Sequence, residues 1–265
     1  MSALEVWVDG VGLLGPGLAS WPAARDVLRG DRAFVPAPTV VPAPVRLPAA
    51  ERRRVGAAVK LALAVAEEAV ADGAADPATL ATVFASSSGE GVICHALCET
   101  LASANPMVSP TRFTNSVHNA ASGCWHIAVG SRAASTSLCG FDGSFGAGLV
   151  EAATSVALGT APLLLVASDS TYPEPLHAKR PLPDPFGVGL LLAPAPGPHS
   201  IAALRIQLGA PGAPGDRCDD PALDALCGAV PAAAALPLLV ALARRRPCTV
   251  RLDWQPGTQV RVELA

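Results

Sequence analysis

The stretch STSLCGFDGSFGAG at residues 135–148 reads as a short apolar strand, a glycine-rich turn and the start of a helix. Strand, tight turn and helix in direct succession constrain a fold strongly, because the helix must pack back over the sheet that the strand enters. The unit also has a chemical meaning. A helix N-terminus carries partial positive charge and free N–H groups, so an oxyanion or thiolate at the turn is stabilised there. Acyl-transfer chemistry places cysteine or serine at such a point. Here the turn offers Asp142 instead.

The same alternation recurs along the chain. LEVWVDGVG (4–12) reads as a first strand, and SWPAARDVLRG (20–30) as a short helix capped by Ser20 and stopped by Gly30. The proline-dense 36–48 cannot continue a helix, whereas 47–73 reads as one long Ala-rich helix ended by Gly73. A strand at 79–91 runs into a Ser/Gly turn, and a helix follows from Gly91. Residues 106–131 read as a second helix, 143–158 as the helix after the elbow, and 161–170 and 184–196 as further strands. This order predicts an α/β fold with a mixed, mainly parallel five-stranded sheet and helices on both faces. From 196 to 265 the character changes to a strand, a Pro/Gly/Asp loop at 210–223, a helix and a hairpin around QPGT, predicted to pack on the domain formed by 1–195.

Composition decides what surrounds that sheet. The 265 residues are 51% hydrophobic, 15% charged and only 4% aromatic, so Ala, Val and Leu must fill the interior, and a surface this poor in charge suits pairing with another protein. A net charge of −3 gives no global attraction to nucleic acid. The basic clusters Arg52–Arg54 and Arg244–Arg246 read as solvated helix faces, with an acidic protein partner as the secondary reading. Seven cysteines and no secretory signal fit a reducing cytosol, and the longest apolar run, 55–70, is too short to span a bilayer. Neither Cys94, His95 and Cys98 nor His118, Cys124 and His126 has the spacing of a structural zinc site, so no metal or cofactor is expected.

VWVDGVGLLGPG, VFASSSGEG, SPTRFTNSVHNAASGCWHIAVGSRAAST and the elbow with its helix together resemble the N-terminal half of β-ketoacyl synthases of the thiolase fold, over roughly residues 4–194. In active members the turn reads Ala-Cys-Ser-Ser or close to it, and the cysteine carries the acyl chain. The matching run here is Phe141-Asp142-Gly143-Ser144, with Asp142 at the cysteine position and Ser144 at the second hydroxyl. A carboxylate forms no transferable thioester. The C-terminal half of a ketosynthase supplies two histidines and a glycine-rich phenylalanine gate, and 196–265 resembles neither. The chain is therefore most similar to chain-length factors of type II polyketide synthases, above all the short ones of aryl polyene pigment clusters. That resemblance implies a thiolase-like half-fold with no catalytic residue of its own, paired with an active ketosynthase and visited by an acyl carrier protein.

The resemblance also implies which residues matter. Phe113, Ser116, Val117 and Ala120 follow i, i+3, i+4, i+7 spacing on the helix before the elbow, whose counterpart lines the shared acyl tunnel; ordinary helix packing is the competing reading. His118 and Asn119 are candidates to hydrogen-bond across the dimer seam, and the strand at 134–141 with its helix is the expected pairing element. Phe141 and Asp142 form the tip of the elbow, where Asp142 is expected to cap the helix. Cys139 is expected to be buried in the sheet. The rival reading is a stand-alone acyl-thioester hydrolase or transferase using Ser144 or Cys139. As a Ser144–His118–Asp169 triad it lacks the G-x-S-x-G pattern.

Overall fold

The structure, a computed structural model, describes residues 3–210 and 212–265. Its first strand, β1 (Leu4–Leu14), is followed by helix α1 (Trp21–Arg29), which starts on Ser20 as expected: the Ser20 hydroxyl accepts from the Ala23 N–H, and Gly30 ends the helix with φ 88°. Next come α2 (Ala49–Arg52) and α3 (Ala57–Asp72), then β2 (Ala81–Ala85), α4 (Gly91–Ala102), α5 (Pro110–Asn115) and α6 (Ala120–Val129). The elbow unit is β3 (Ser135–Leu138), a 3₁₀ turn at Phe141–Gly143 and α7 (Ser144–Gly159). Strand β4 (Leu163–Asp169), the short α8 (Leu176–Lys179) and β5 (Phe186–Ala193) complete the N-terminal part. The remainder is β6 (Ala202–Gly209), α9 (Pro221–Ala229), a 3₁₀ turn at Pro231–Ala235, α10 (Leu236–Arg244), and the hairpin β7 (Cys248–Gln255) and β8 (Thr258–Leu264).

The strands form one eight-stranded sheet in the order β3-β2-β4-β5-β1-β6-β8-β7. Side chains alternate across it. On β4, Leu163, Leu165 and Ala167 join the core shared with α1, α7, α9 and α10, while Leu164 and Val166 face the core of α3 and α6. Helices therefore cover both faces, as the alternating pattern predicts. α3 lies so close to the sheet that a Cβ on Gly12 would sit 2.0 Å from the Val65 carbonyl oxygen, which leaves glycine as the residue that fits there.

Two sheet expectations need correction. The sheet has eight strands, because β6, β8 and β7 continue it, and it is parallel only through β3-β2-β4. Every pairing from β4–β5 to β7–β8 is antiparallel. A parallel neighbour needs a crossover that carries the chain back across the sheet, usually a helix. The proline-rich link from β4 to β5 holds only the four-residue α8, so β5 starts where β4 ends.

Both long helices are also broken. The helix expected over 47–73 divides into α2 and α3. Glu90, a residue from beyond β2, fills the start of α3: the Val59 N–H donates to Glu90 Oε2 at 3.4 Å, and a Cβ on Gly56 would meet that carboxylate. The helix expected over 106–131 divides into α5 and α6 at Ser116–Asn119. Ser116 Oγ donates to the Phe113 carbonyl at 2.9 Å, and His118 Nε2 bonds the Ser86 carbonyl at 3.1 Å, so local and tertiary bonds replace the helical ones. In the C-terminal part, α9 already begins at Pro221 within the expected loop, capped by Asp220, which accepts from the Ala222 and Leu223 N–H groups.

Candidate functional site

The elbow leaves β3 at the end of the sheet. Phe141, at the head of its 3₁₀ turn, has φ 54°, a left-handed conformation that costs energy for a bulky residue and persists only where its surroundings enforce it. Ser144 supplies part of that enforcement. Its hydroxyl donates to the Phe141 carbonyl at 2.7 Å and accepts from the Gly140 N–H at 3.0 Å. The other part comes from the C-terminal hairpin, because a Cβ on Gly143 would lie 2.0 Å from the Trp254 carbonyl oxygen, and the Trp254 ring packs against Gly146. The turn that presents residue 142 is thus clamped from behind by β7.

Asp142 itself faces outward, with its side chain 71% exposed, and forms an ion pair with Arg180. The Arg180 guanidinium carbon also stands 3.8 Å from the centre of the Phe141 ring and 5.7 Å from that of Tyr172. Asp142 does not cap α7, contrary to expectation. Gly143 holds the cap position without a side-chain bond, and Asp142 instead meets Arg180, a residue whose approach no local pattern announces.

Behind the elbow lies a polar knot centred on Asp169. Its Oδ1 accepts from the Ser86 hydroxyl (3.2 Å), the Ser87 N–H (2.7 Å) and the Ser87 hydroxyl (2.7 Å), and its Oδ2 accepts from the Ala232 N–H (2.9 Å). Burial raises this carboxyl above the usual aspartate value, and the hydrogen bonds oppose that shift. Ser87 Oγ also bonds the Tyr172 hydroxyl at 2.9 Å, and its carbonyl accepts from Cys139 Sγ at 3.2 Å. The Ser86–Gly89 turn is thereby tied to β3, β4 and the C-terminal 3₁₀ turn together. The sequence marks this turn only as a Ser/Gly loop. Asp169, Tyr172, Arg180 and Trp254 reach the site by tertiary packing.

The rival triad is not assembled. Ser144 is 1% exposed and spends its hydroxyl on the turn, His118 bonds Ser86, and Asp169 bonds Ser86, Ser87 and Ala232, so no hydrogen bond links any two of the three. Cys139 is exposed, one residue beyond the end of β3, not buried in the sheet as expected, because β3 is an edge strand. Among the described residues no histidine hydrogen-bonds its sulfur.

The expected tunnel residues do not share one helical face, since the break at Ser116–Asn119 divides them. Phe113 (64% exposed), on α5, and Val117 (44%), in the break, project from the surface, as does Phe141 (61%) on the elbow. Ser116 is half-buried, Asn119 stands at the start of α6 with its side chain making no cap bond, and Ala120 is buried. His118 and Ala120 border a cavity of only about 20 Å³ beside Ser86 and Glu90. That holds about one water. Burial raises the Glu90 carboxyl there as well. No helix among the described residues is long and apolar enough to cross a membrane.

No curated protein matches the chain in sequence. Its fold is similar to a ketosynthase in complex with its chain length factor from Xenorhabdus doucetiae, at 22% identity and TM-score 0.73 over 98% of this chain and 99% of that chain. It is likewise similar to the ishigamide ketosynthase/chain length factor, at 16% identity and TM-score 0.71 over 98% and 99% of the two chains. A β-ketoacyl synthase from Burkholderia phymatum is matched at 14% identity and TM-score 0.62, over 91% of this chain and 70% of that chain. At such identities the likeness establishes the thiolase-like fold. The family model for the β-ketoacyl synthase N-terminal domain matches residues 28–213, from α1 through the elbow to β6. The chain belongs to the family of β-ketoacyl synthase N-terminal domains.

Proposed function

We propose that the chain is a non-catalytic, chain-length-factor-like subunit that pairs with an active β-ketoacyl synthase. Together they would form a β-ketoacyl-[acyl-carrier-protein] synthase complex of the type II polyketide kind, of which aryl polyene pigment synthesis is the version its sequence most resembles. The observation that carries this reading is the elbow: its tip presents an Asp142–Arg180 ion pair where a family nucleophile would stand. A carboxylate neutralised by a guanidinium neither carries an acyl group as a thioester nor activates one that does. The partner supplies the cysteine and histidines, and an acyl carrier protein delivers the chain to it.

The surface around the elbow supports the pairing. β3 is an edge strand, and large apolar side chains stand exposed around it: Phe113 on α5, Val117 in the break, Ile127 on α6 and Phe141. An apolar face beside an open sheet edge suits a protein partner. The small cavity at His118 and Ala120 is far too tight for an acyl chain, which agrees with a tunnel walled jointly by two subunits, with Phe113, Ser116, Val117 and Ala120 on this side. His118 and Asn119 flank that wall. The stand-alone hydrolase reading has nothing in its favour at Ser144, whose hydroxyl is buried and doubly engaged.

Co-expression with a ketosynthase encoded beside it, followed by affinity purification, is expected to yield a one-to-one complex. On incubation with an acyl-carrier-protein thioester, intact mass spectrometry should find the acyl adduct on the partner alone. A stable adduct on this chain, or thioester turnover by this chain alone, would refute the proposal.

A further inference from the structure

Far from the elbow, the loop before α9, the end of α10 and the start of β7 enclose a cavity of about 440 Å³. Its floor is apolar, made by Val240 of α10, Pro247 and Val250 of β7. Three arginines border it: Arg217 from the loop, Arg244 from the last turn of α10, and Arg246 just beyond that helix. Between the last two, Arg245 takes a left-handed conformation, φ 50°, and its N–H donates to the Ala241 carbonyl at 3.1 Å. The chain thus turns out of α10 and into β7 over three residues, and Arg244 and Arg246 come to border the same cavity.

The ion pairs around this cavity leave one charge over. Asp216 accepts from the Arg251 N–H at 2.9 Å and from Arg251 Nη1 at 3.2 Å, so an arginine outside the cavity matches that carboxylate. Arg217 is held by Asp224 through Nε at 2.7 Å and Nη2 at 3.0 Å, and Arg244 Nη2 donates to Asp219 at 2.8 Å. A cation suits the last turn of a helix, which accounts for Arg244. Arg246 lies outside α10, and among the described residues no carboxylate meets it and no side-chain hydrogen bond engages it. Arg217 and Arg244 each keep Nη1 unused as well. An apolar floor beneath a guanidinium without a counter-ion joins burial for a ligand's body to a charge-assisted bond for its head.

We propose that this cavity binds a small organic anion of single charge with an apolar body. Arg246 bonds the anionic head, the free donors of Arg217 and Arg244 stand beside it, and the body lies over Val240 and Val250. Asp216 and Asp219 on the same rim repel a second negative charge, which sets the preference for a monoanion. The inference does not rest on pairing with a ketosynthase, since β7 is at the opposite edge of the sheet from β3.

Cys248, the first residue of β7, borders the cavity and is exposed, so its alkylation reports occupancy. Cys94 and Cys98, exposed on α4, are the controls. Trypsin does not cut before Pro247, so Cys248 is recovered in the peptide 246–251. The probe is naphthalene-2-sulfonate, and naphthalene-2-sulfonamide supplies the same body without the charge. The full-length protein is alkylated with iodoacetamide at rising concentrations of each. The sulfonate is expected to slow alkylation of Cys248 and to leave Cys94 and Cys98 unaffected. Half-protection should need at least about tenfold more sulfonamide, and about tenfold more sulfonate in Arg246→Gln, a change at an exposed position. Val240→Trp, which fills the floor, should abolish protection. Cys248 reacting at its free rate under the sulfonate, equal protection by the sulfonamide, or wild-type protection in Arg246→Gln overturns the proposal.

Discussion

The two ends of the sheet finish differently. At the β7 edge the chain covers itself: the Asp216 N–H donates to the Arg251 carbonyl at 2.8 Å, the Arg251 N–H donates to Asp216 Oδ2 at 2.9 Å, and the Gly215 N–H donates to Asp253. At the β3 edge, β2 takes the inner side, and among the described residues the outer side has no strand beside it. An edge strand left open beside exposed Phe113, Val117 and Phe141 is a liability for an isolated protein and a template for a partner. One end of the sheet is covered by the chain's own loop, and the other is left as an open edge.

The largest expected effect breaks this contrast directly. The Leu138 and Ala134 carbonyls accept from β2, so by strand alternation the Ser137 N–H points outward. Ser137→Pro removes that donor at a position where an edge strand tolerates proline. It also loses the Ser137–Ser122 hydroxyl contact of 3.1 Å, a minor cost. Affinity for the proposed ketosynthase partner, read by biolayer interferometry, should fall by at least about tenfold, the equivalent of one or two interface hydrogen bonds. Thermal unfolding of the variant alone should stay close to wild type. Unchanged affinity would mean that β3 is not the pairing edge.

A second variant tests the link between the ends. Gly143→Ala places a methyl against the Trp254 carbonyl, so either β7 or the elbow must shift, at about 1–3 kcal/mol in a urea titration. A variant as stable as wild type would show that the hairpin does not clamp the turn.

The smallest effect concerns the knot beneath the elbow. Burial raises the folded-state value of Asp169, so the folded protein binds this proton more readily than the unfolded chain. Its contribution to stability is greatest below the unfolded aspartate value and declines as pH rises through the folded one. Asp169→Asn cannot titrate. The urea midpoint of wild type minus that of the variant should therefore fall as pH is raised from about the ordinary aspartate value of 4 toward neutrality. A difference that grows over this range would contradict the raised value.

How far the fold was legible follows from how local its signals are. Ser20 and Gly30 bound α1 because a cap and a left-handed stop are decided within one turn of chain. The hairpin over QPGT formed as expected, with Gly257 at φ 80°, because turn chemistry is equally local. The break at Ser116–Asn119 could not be read, since the bond that reinforces it comes from Ser86, thirty-two residues before His118. Strand direction was misjudged for a similar reason, as periodicity marks a strand without saying which way its neighbour runs. At the site, the substitution of the nucleophile was plain in the residue type, whereas the contact of Arg180 with both Asp142 and Phe141 was not.

The sequence by itself determined that residue 142 is an aspartate on a strand–turn–helix unit, because residue identity and the local rules of turns need no distant partner. Only the tertiary structure decided what that aspartate does. Its role depends on which cation arrives beside it and on what stands behind Gly143, and both Arg180 and Trp254 come from segments brought there by burial of the sheet's two cores. Burial is a property of the whole chain, so a carboxylate that the local pattern reads as a helix cap becomes one half of an exposed ion pair.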